Sequence, residues 1–283
     1  MRVRKARLVI PFVLSAFACS SAHAQTPPST TKFTIGAKLW HAAWLSYVPA
    51  AYSGIGANGA PAVGDSINAV EADAQTDVLP ALSLSHGSFF ASASHGRFTG
   101  DFNVLTSPLI TPTGQTLITS RTDHFKRRES DLTLGYRVTP EVGIVVGYKD
   151  ATETRDTTLG VAPQRRPVLT TKVKGLLVGA VGNVAVHDKL RLYVQAGYGP
   201  ARFRLRFADP ALGTSRDNGR YLIGELGLSY PVLGNVMGLE GATATIGYRT
   251  QTVKTESDSG TLQTTRDLRD VRDGIVLSLN LTL

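Results

Sequence analysis

The segment Gly274-Ile275-Val276-Leu277-Ser278-Leu279-Asn280-Leu281-Thr282-Leu283 alternates between two kinds of side chain. Aliphatic residues take every second position, and small or polar residues take the positions between them, except at Val276. Because successive side chains of a β-strand point to opposite faces, this segment predicts a strand with one aliphatic face and one small polar face. A soluble sheet could pack the aliphatic face on a core, whereas a membrane barrel could turn it toward lipid.

The N-terminal residues have the three parts of a secretory signal peptide. A cluster of Lys and Arg within residues 2–7 precedes an apolar stretch, residues 8–18, which is too short to span a bilayer. Residues 22–24, Ala-His-Ala, have the form of a cleavage site. We therefore predict that residues 1–24 are removed on export and that residues 25–31 form a flexible leader.

Removal of the signal changes the charge and the cysteine content of the chain. Lys and Arg fall from 30 to 26 against 22 Asp and Glu, so the mature net charge is +4. With this modest charge and no basic run longer than residues 126–128, we expect no nucleic-acid partner. The single cysteine, Cys19, leaves with the signal, which excludes disulfides and thiolate chemistry in the exported chain.

Nine earlier segments repeat the alternation of the final strand, which predicts ten strands in all. Their connections alternate between long and short, and in a meander this places every long loop at one end. The expected loops are residues 48–77, 101–125, 151–171, 209–218 and 251–258, and the expected turns are residues 86–88, 139–141, 187–189 and 231–238. The pattern predicts an all-β fold over residues 32–283, a single closed antiparallel transmembrane β-barrel of about ten strands, within bounds of eight and twelve.

Tyrosines support the membrane interpretation. Tyr148, Tyr198 and Tyr248 lie on aliphatic faces seven to nine residues above short turns, and Tyr136 and Tyr230 lie beside such turns. At ~3.3 Å per residue and a tilt near ~40°, the two tiers are on the order of 20 Å apart. This spacing approaches that of the aromatic girdles of membrane barrels. The alternative is that tyrosine is simply common in strands.

Charged residues opposite the aliphatic stripe are the candidates for lining the interior. Six follow directly from the alternation: Lys38, Arg137, Lys149, Arg191, Glu225 and Arg249. Arg202, Arg204 and Arg206 join them if Gly199-Pro200 is a β-bulge that inverts the two faces. Such a basic ladder could form a constriction that favours anions. It could instead belong to a solvated extension above the membrane, partnered by acidic loop residues or by lipopolysaccharide phosphates.

The sequence contains few groupings of residues that could form a catalytic or metal-binding site. The six histidines are scattered and show no metal-ligand spacing, so we expect no metal, no cofactor and no catalytic residue. The nearest approach to a hydrolytic site is His124, with Asp101, Asp123 and either Ser120 or Ser130 near it.

On these features the chain resembles the Gram-negative outer-membrane β-barrels as a class. The segment from Ile275 to Leu283 is similar to their C-terminal assembly signal, although Leu283 stands where the class most often has Phe or Trp. The resemblance implies an outer-membrane location with both termini in the periplasm. It also implies contact with the barrel-assembly machinery, with outer-membrane lipids and with lipopolysaccharide. Ten-stranded members include the omptin proteases, whose acidic pairs and Asp/His pair this sequence does not reproduce.

Three functions are compatible with the sequence. The first is a non-enzymatic barrel, either a narrow porin-like channel or an envelope-structural or adhesion-type protein. The second is an outer-membrane hydrolase or acyltransferase, omptin-like or lipase-like. The third is a soluble periplasmic β-protein.

Overall fold

The computed structural model describes residues 30–55, 61–105, 109–110, 116–117, 120–159, 162–210, 213–234, 238–255 and 269–283. The predicted signal peptide and residues 25–29 of the predicted leader lie outside these residues, and the last leader residue, Thr31, already belongs to the first strand. The strands are β1 (Thr31–Ile55), β2 (Pro61–His86), β3 (Phe89–Leu105), β4 (Leu109–Ile110), β5 (Thr116–Leu117), β6 (Ser120–Arg137), β7 (Val142–Leu159), β8 (Ala162–His187), β9 (Leu190–Phe207), β10 (Thr214–Leu233), β11 (Gly241–Thr255) and β12 (Arg269–Thr282). Ten strands form one closed barrel, while β4 and β5 pair separately. The predicted ten-stranded antiparallel barrel is confirmed. Within the described ranges no helix is long and apolar enough to cross a membrane.

A closed barrel of consecutive strands must join its first strand to its last, and this barrel closes between β1 and β12. β1 and β12 pair antiparallel, with Ile35 opposite Leu281 and Leu39 opposite Leu277. The Phe33 amide donates to the Leu283 carbonyl at 3.1 Å, and the Leu283 amide donates to the Phe33 carbonyl at 2.8 Å. Closure satisfies the backbone groups that would otherwise form two open sheet edges.

We call the end with the chain terminus and the tight turns the lower end, and the opposite end the upper end. Above the lower turns the outward face is an apolar band, in which Val178, Leu134 and Ile275 are 69%, 57% and 52% exposed. All five predicted girdle tyrosines are exposed on this face. A soluble protein does not leave so large an apolar surface in water, so the band is the lipid-facing surface of a transmembrane barrel.

The tight turns predicted at residues 86–88, 139–141 and 187–189 are confirmed, and the turn predicted at residues 231–238 lies partly outside the described residues. The predicted long loops are too long, because many of their described residues belong to strands, while their central residues lie outside the described part of the chain. Gly87 and Asp188 occupy two of the turns with φ of 56° and 41°. At the upper end the strands continue: β1 and β2 pair as far as Ile55 and Pro61, and β7 and β8 as far as Leu159 and Ala162. These polar segments were predicted as loops because apolar residues no longer alternate in them. Strand pairing uses backbone groups and does not require that alternation.

The predicted β-bulge at Gly199-Pro200 is also wrong. The pairing of β9 with β10 runs without a shift from Arg191 opposite Ser229 to Arg206 opposite Thr214. The backbone continues unchanged, but the apolar residues move from the outward face to the inward face. Above Tyr198 the inward residues are apolar, with Phe203 7% exposed, and the outward residues are polar. The outer wall there contacts water rather than lipid, so the upper extension is organised like a soluble protein.

The closing register can be tested with an engineered disulfide. The Oγ1 atoms of Thr34 and Thr282 are 3.2 Å apart. In a Cys19→Ser background, we expect Thr34→Cys plus Thr282→Cys to cross-link on oxidation and to migrate differently on a denaturing gel before and after reduction. The control is Thr34→Cys plus Ser278→Cys, since Ser278 is opposite Lys38 and therefore about 13 Å further along the strand. Equal cross-linking of both pairs would contradict the register.

Candidate functional site: the barrel interior

Small and hydroxyl-bearing side chains surround a cavity of about 220 Å³ in the lower part of the interior. Ser83, Ser92, Ser94, Thr133 and Asn280 are among its lining residues. Its lining also includes Lys38, Lys149 and Arg249, which belong to the charged layers described next.

The first charged layer is centred on Glu225, a buried carboxylate of β10. Lys38 donates to its two carboxylate oxygens at 3.0 and 3.1 Å, and Arg249 donates at 2.9 Å. Tyr193 adds a fourth hydrogen bond at 3.1 Å. The Tyr193 hydroxyl lies over Gly247, where a Cβ would come 2.5 Å from its oxygen, and the edge of its ring lies over Gly227. The missing side chain therefore lets the tyrosine lie across the wall.

The second charged layer is centred on Glu129, a buried carboxylate of β6. Arg127 donates to it through Nε at 3.0 Å, and Tyr221 and Gln251 donate at 3.2 and 2.9 Å. Lys149 bonds both Glu129 and Asp131. Because Asp131 also lies 3.9 Å from Arg249, the two charged layers are joined.

Arginine and aromatic side chains continue the filling upward. Arg272 donates to Asp77 at 2.7 Å, and its guanidinium lies 3.7 Å from the ring centroid of Phe98 and 4.5 Å from that of Trp40. Asp270 accepts from Arg127 at 3.1 Å and from the Trp44 indole at 2.8 Å. Planar guanidinium groups suit this position because they can pair with a carboxylate and stack on rings at the same time.

An aromatic cluster packs around this arginine. Its rings meet edge to face, with centroids 5.5 Å apart for Trp44 and Phe102 and 4.8 Å apart for Phe102 and Phe125. Val276, the residue that breaks the alternation of the final strand, is fully buried in the same cluster. Its apolar side chain is explained by this inward contact.

Together these groups form what we call the interior seal: Lys38, Asp77, Arg127, Glu129, Asp131, Lys149, Tyr221, Glu225, Arg249, Asp270 and Arg272. Its five cations face five carboxylates, so the seal presents no strong excess of either charge. Buried charges remain in a protein interior only when they are paired and hydrogen-bonded. The seal therefore fills the middle of the barrel with side chains that support one another.

The predicted interior residues have three different positions. Lys38, Lys149, Glu225 and Arg249 point inward and belong to the seal. Arg137 and Arg191 lie at the lower rim, where they donate to the Gly87 carbonyl and to Asn183. The remaining three, Arg202, Arg204 and Arg206, are exposed on the outer wall, so their prediction as interior residues is corrected. They would face inward only with a bulge at residues 199–200, and the pairing of β9 with β10 shows none there.

Most residues of the seal were not predicted from the sequence. Arg127 lies just beyond a predicted loop, Asp77 lies within one, and neither Glu129 nor Tyr221 was singled out as an interior candidate. One signal was available, since Phe125, Arg127, Glu129 and Asp131 share the parity of the inward-facing residues of β6.

His124 forms a polar chain on the outer face of β6, above the apolar band. Its Nδ1 lies 2.7 Å from Asp101 Oδ1, and its Nε2 lies 2.9 Å from Thr158 Oγ1. Other outward histidines also meet a hydroxyl on the adjacent strand, as in the pairs His41–Thr76, His95–Ser130 and His86–Thr31. The shared geometry is that of cross-strand pairing. In the described part of the chain no group of three or more His, Asp or Glu side chains could hold a metal ion.

Comparison with known proteins identifies the fold. No protein-family model and no curated protein sequence matches the chain. The outer membrane protease OmpT from Escherichia coli aligns with a TM-score of 0.55 over 89% of this chain and 96% of its own, at 10% identity. The toluene transporter TodX of P. putida aligns with a TM-score of 0.36, 10% identity and coverage of 90% of each chain. Neisserial surface protein A aligns with a TM-score of 0.36, 13% identity, and coverage of 89% and 96%. The chain has the closed-barrel fold of the Gram-negative outer-membrane proteins.

Removing the centre of the seal should destabilise the barrel. We expect Glu129→Ala to lower the free energy of unfolding by about 3–5 kcal/mol, because it leaves Arg127 and Lys149 buried without their shared carboxylate. Urea unfolding in micelles measures the change. The control is Glu240→Ala, which removes an exposed pair with Lys32 and should cost about 0–1 kcal/mol. Equal losses in the two variants would contradict a structural role for the seal.

Proposed function

We propose that this protein is an integral, non-enzymatic barrel of the outer membrane, closed to solutes, that supports a structure projecting above the membrane. The observation that carries this proposal is the interior seal, whose ion pairs join residues of β1, β2, β6, β7, β10, β11 and β12 across the lumen. A permanent pore would need an open path through the middle of the barrel, where these ion pairs lie.

Several features support the outer-membrane location and the orientation. The outward apolar band carries exposed tyrosines in two tiers, as the aromatic girdles of membrane barrels do. The tight turns and the β1–β12 closing pair lie at the lower end, which we assign to the periplasm. The final strand has its aliphatic residues on the lipid face. We expect the barrel-assembly machinery to recognise this strand.

The long upper hairpins support an envelope-structural or adhesion role. β1 and β2 contain 25 and 26 residues, far more than the nine to eleven or so that a tilted strand needs to span a bilayer. From His41, which shares a hydrogen-bonded row with Tyr248, to Ile55 the hairpin rises on the order of 35 Å. A closed barrel carrying so tall a wall is suited to contact with other molecules at the cell surface.

Planar-bilayer recording tests the closed state. We expect no stable conductance from the wild-type protein, because the seal fills the lumen. Arg127→Ala plus Tyr221→Ala should introduce conducting steps, since both side chains cross the interior. The matched control is Arg128→Ala plus Leu222→Ala, which changes the next residue of each strand on the outer face and should stay silent. Heat-modifiable migration on a gel shows which variants are folded, and steady wild-type conductance would overturn the closed state.

A hydrolase is the second candidate function, and the Asp101–His124–Thr158 chain is the observation that favours it. An imidazole between a carboxylate and a hydroxyl is the arrangement that activates a nucleophile. His124 points outward, and its contacts are like those of the other histidine pairs. Both observations favour a structural role for His124 instead. The likeness to OmpT does not decide between them, because at 10% identity it concerns the fold alone.

Covalent labelling separates these two functions. Folded protein treated with a fluorophosphonate should remain unlabelled at Thr158, and Thr158→Val should change stability by only about 1 kcal/mol. Labelling of Thr158 that disappears in His124→Ala would establish the hydrolase and reject the non-enzymatic proposal.

A further inference from the structure

The cavity of about 220 Å³ in the lower lumen is bordered by hydroxyl groups that lie in one row. Thr34 is opposite both Thr282 and Ser83. Ser83 is in turn opposite Ser92, and Ser92 is opposite Thr133. The row therefore crosses five adjacent strands, β12, β1, β2, β3 and β6, on the inward face of each. We call these five residues the hydroxyl row.

Three hydroxyls of the row are available to a molecule inside the cavity. Ser83, Ser92 and Thr133 line the cavity, and within the described part of the chain their hydroxyls form no hydrogen bond with a protein group. All three side chains are half-buried. Because they face the lumen and not the lipid, their exposure shows that the lower lumen is open. A hydroxyl in this position can donate to a ligand and accept from it.

The seal presents mainly cations to this cavity. It contributes four lining residues, three cations and one carboxylate: Lys38, Lys149, Arg249 and Asp131. Glu225 and Glu129, the buried carboxylates that pair with these cations, are not among the residues that line the cavity. The surface of the cavity is therefore net positive, although the seal as a whole is balanced. A positive surface favours an anionic ligand.

Two of these cations have donor groups left for an anion. The Lys38 ammonium has three N–H groups, and its bonds to the two carboxylate oxygens of Glu225 occupy two of them. The Lys38 side chain is 27% exposed, against 3% for Glu225, so the ammonium is open to the lumen. Arg249 is buried, and among the described residues its Nε has no hydrogen-bond partner. A buried donor without a partner destabilises the protein until a ligand or water bonds it.

The wall across from the hydroxyl row is apolar and has few side chains. In the order of the closed barrel, β8 and β9 lie five strands from β1 and β2, so these strands face each other across the lumen. Gly147, Gly179 and Gly197 line the cavity without side chains, and Leu177 and Ile223 add apolar surface. A ligand here would contact hydroxyls on one side and hydrocarbon on the other, which suits the carbon chain of a sugar derivative.

The volume of the cavity limits the ligand to a small molecule. A protein cavity of about 150 Å³ can hold benzene, so by proportion a cavity of about 220 Å³ holds roughly nine non-hydrogen atoms. A four-carbon sugar acid has this size. Its carboxylate would reach Lys38 and Arg249 while its hydroxyls reach the hydroxyl row.

We propose that the cavity is a binding site for a small sugar acid, a carboxylate whose carbon chain carries several hydroxyl groups, which enters from the lower end. The carboxylate accepts hydrogen bonds from Lys38 and Arg249, and the hydroxyl row bonds the hydroxyl groups of the chain. The seal prevents the ligand from passing further up the lumen. The inference rests on the proposed closed barrel with its lower end in the periplasm, and it adds a periplasmic ligand to that function.

Calorimetric titration of the folded barrel in micelles tests this site with three probes. Threonate has both the carboxylate and the hydroxyls, threitol has the hydroxyls alone, and butyrate has the carboxylate alone. The hydroxyl variant is Ser83→Ala plus Ser92→Ala plus Thr133→Val, and the charge variant is Lys38→Gln.

A matched control removes the same kinds of side-chain hydroxyl from positions outside the lumen. It is Ser88→Ala plus Ser130→Ala plus Thr152→Val, with Ser88 in a lower turn and the other two residues on the outer wall. Heat-modifiable migration on a gel shows which variants are folded.

We expect the wild type and the control to bind threonate more tightly than either of the other probes. In the hydroxyl variant the affinity for threonate should fall about 100-fold, at about fivefold for each hydrogen bond, while the affinity for butyrate stays the same. In the Lys38→Gln variant the affinity for threonate should fall about tenfold or more, since a charge-assisted hydrogen bond is lost, while the affinity for threitol stays the same. The unchanged affinity for the other probe shows that each variant keeps its cavity.

Other outcomes would overturn the inference in distinguishable ways. A wild type that does not bind threonate, or a hydroxyl variant that binds it equally well, would exclude the cavity as the site. If inorganic phosphate binds as tightly as threonate, the cavity accepts any small anion and the sugar acid is rejected. Steady conductance of the wild type in planar bilayers would reject the proposed closed barrel, whereas a silent barrel that binds no threonate would reject this inference alone.

Discussion

The medium outside the barrel wall changes from lipid to water part of the way up the strands, and this change decides which face of each strand is apolar. In the band below Tyr198 the outward residues must be apolar because lipid cannot hydrate them, and polar residues can face inward. Above the band the rule reverses, so Phe203 packs inside and Arg202 and Arg204 face outward. One continuous strand thus follows two solvation rules without any break in its register.

The two charged systems of the barrel follow from the same constraint. Inside the wall the charged side chains are largely buried, so each cation of the seal has a carboxylate partner, and several of these ion pairs reach across the lumen. Outside the wall, above the lipid, the exposed side chains of Arg202, Arg204 and Arg206 can remain hydrated, so burial does not force them to have a carboxylate partner.

Closure joins these regions into one structure. The β1–β12 pair removes the last open edges, and it also places Trp40 and Trp44 of β1 beside Val276 and Arg272 of β12. The seal therefore depends on the closing pair, because its carboxylates and guanidinium groups come from strands far apart in sequence. Gln251 and Glu129, which are 122 residues apart, meet only because the barrel is closed.

By itself the sequence determined the strands within the lipid band, the tight turns, the closing pair and the outward face, because lipid accepts only an apolar wall and so enforces a regular alternation. It also identified Lys38, Lys149, Glu225 and Arg249, whose parity in that band is unambiguous. It failed above the band, where alternation ends and paired strands such as residues 48–55 looked like loops. Only the tertiary structure decided that Glu129 is the centre of the seal and that Arg202, Arg204 and Arg206 face outward. Contacts across the lumen depend on the register of all ten strands. The polarity of each face depends on whether lipid or water surrounds the wall at that height. No local segment of the sequence determines either of these.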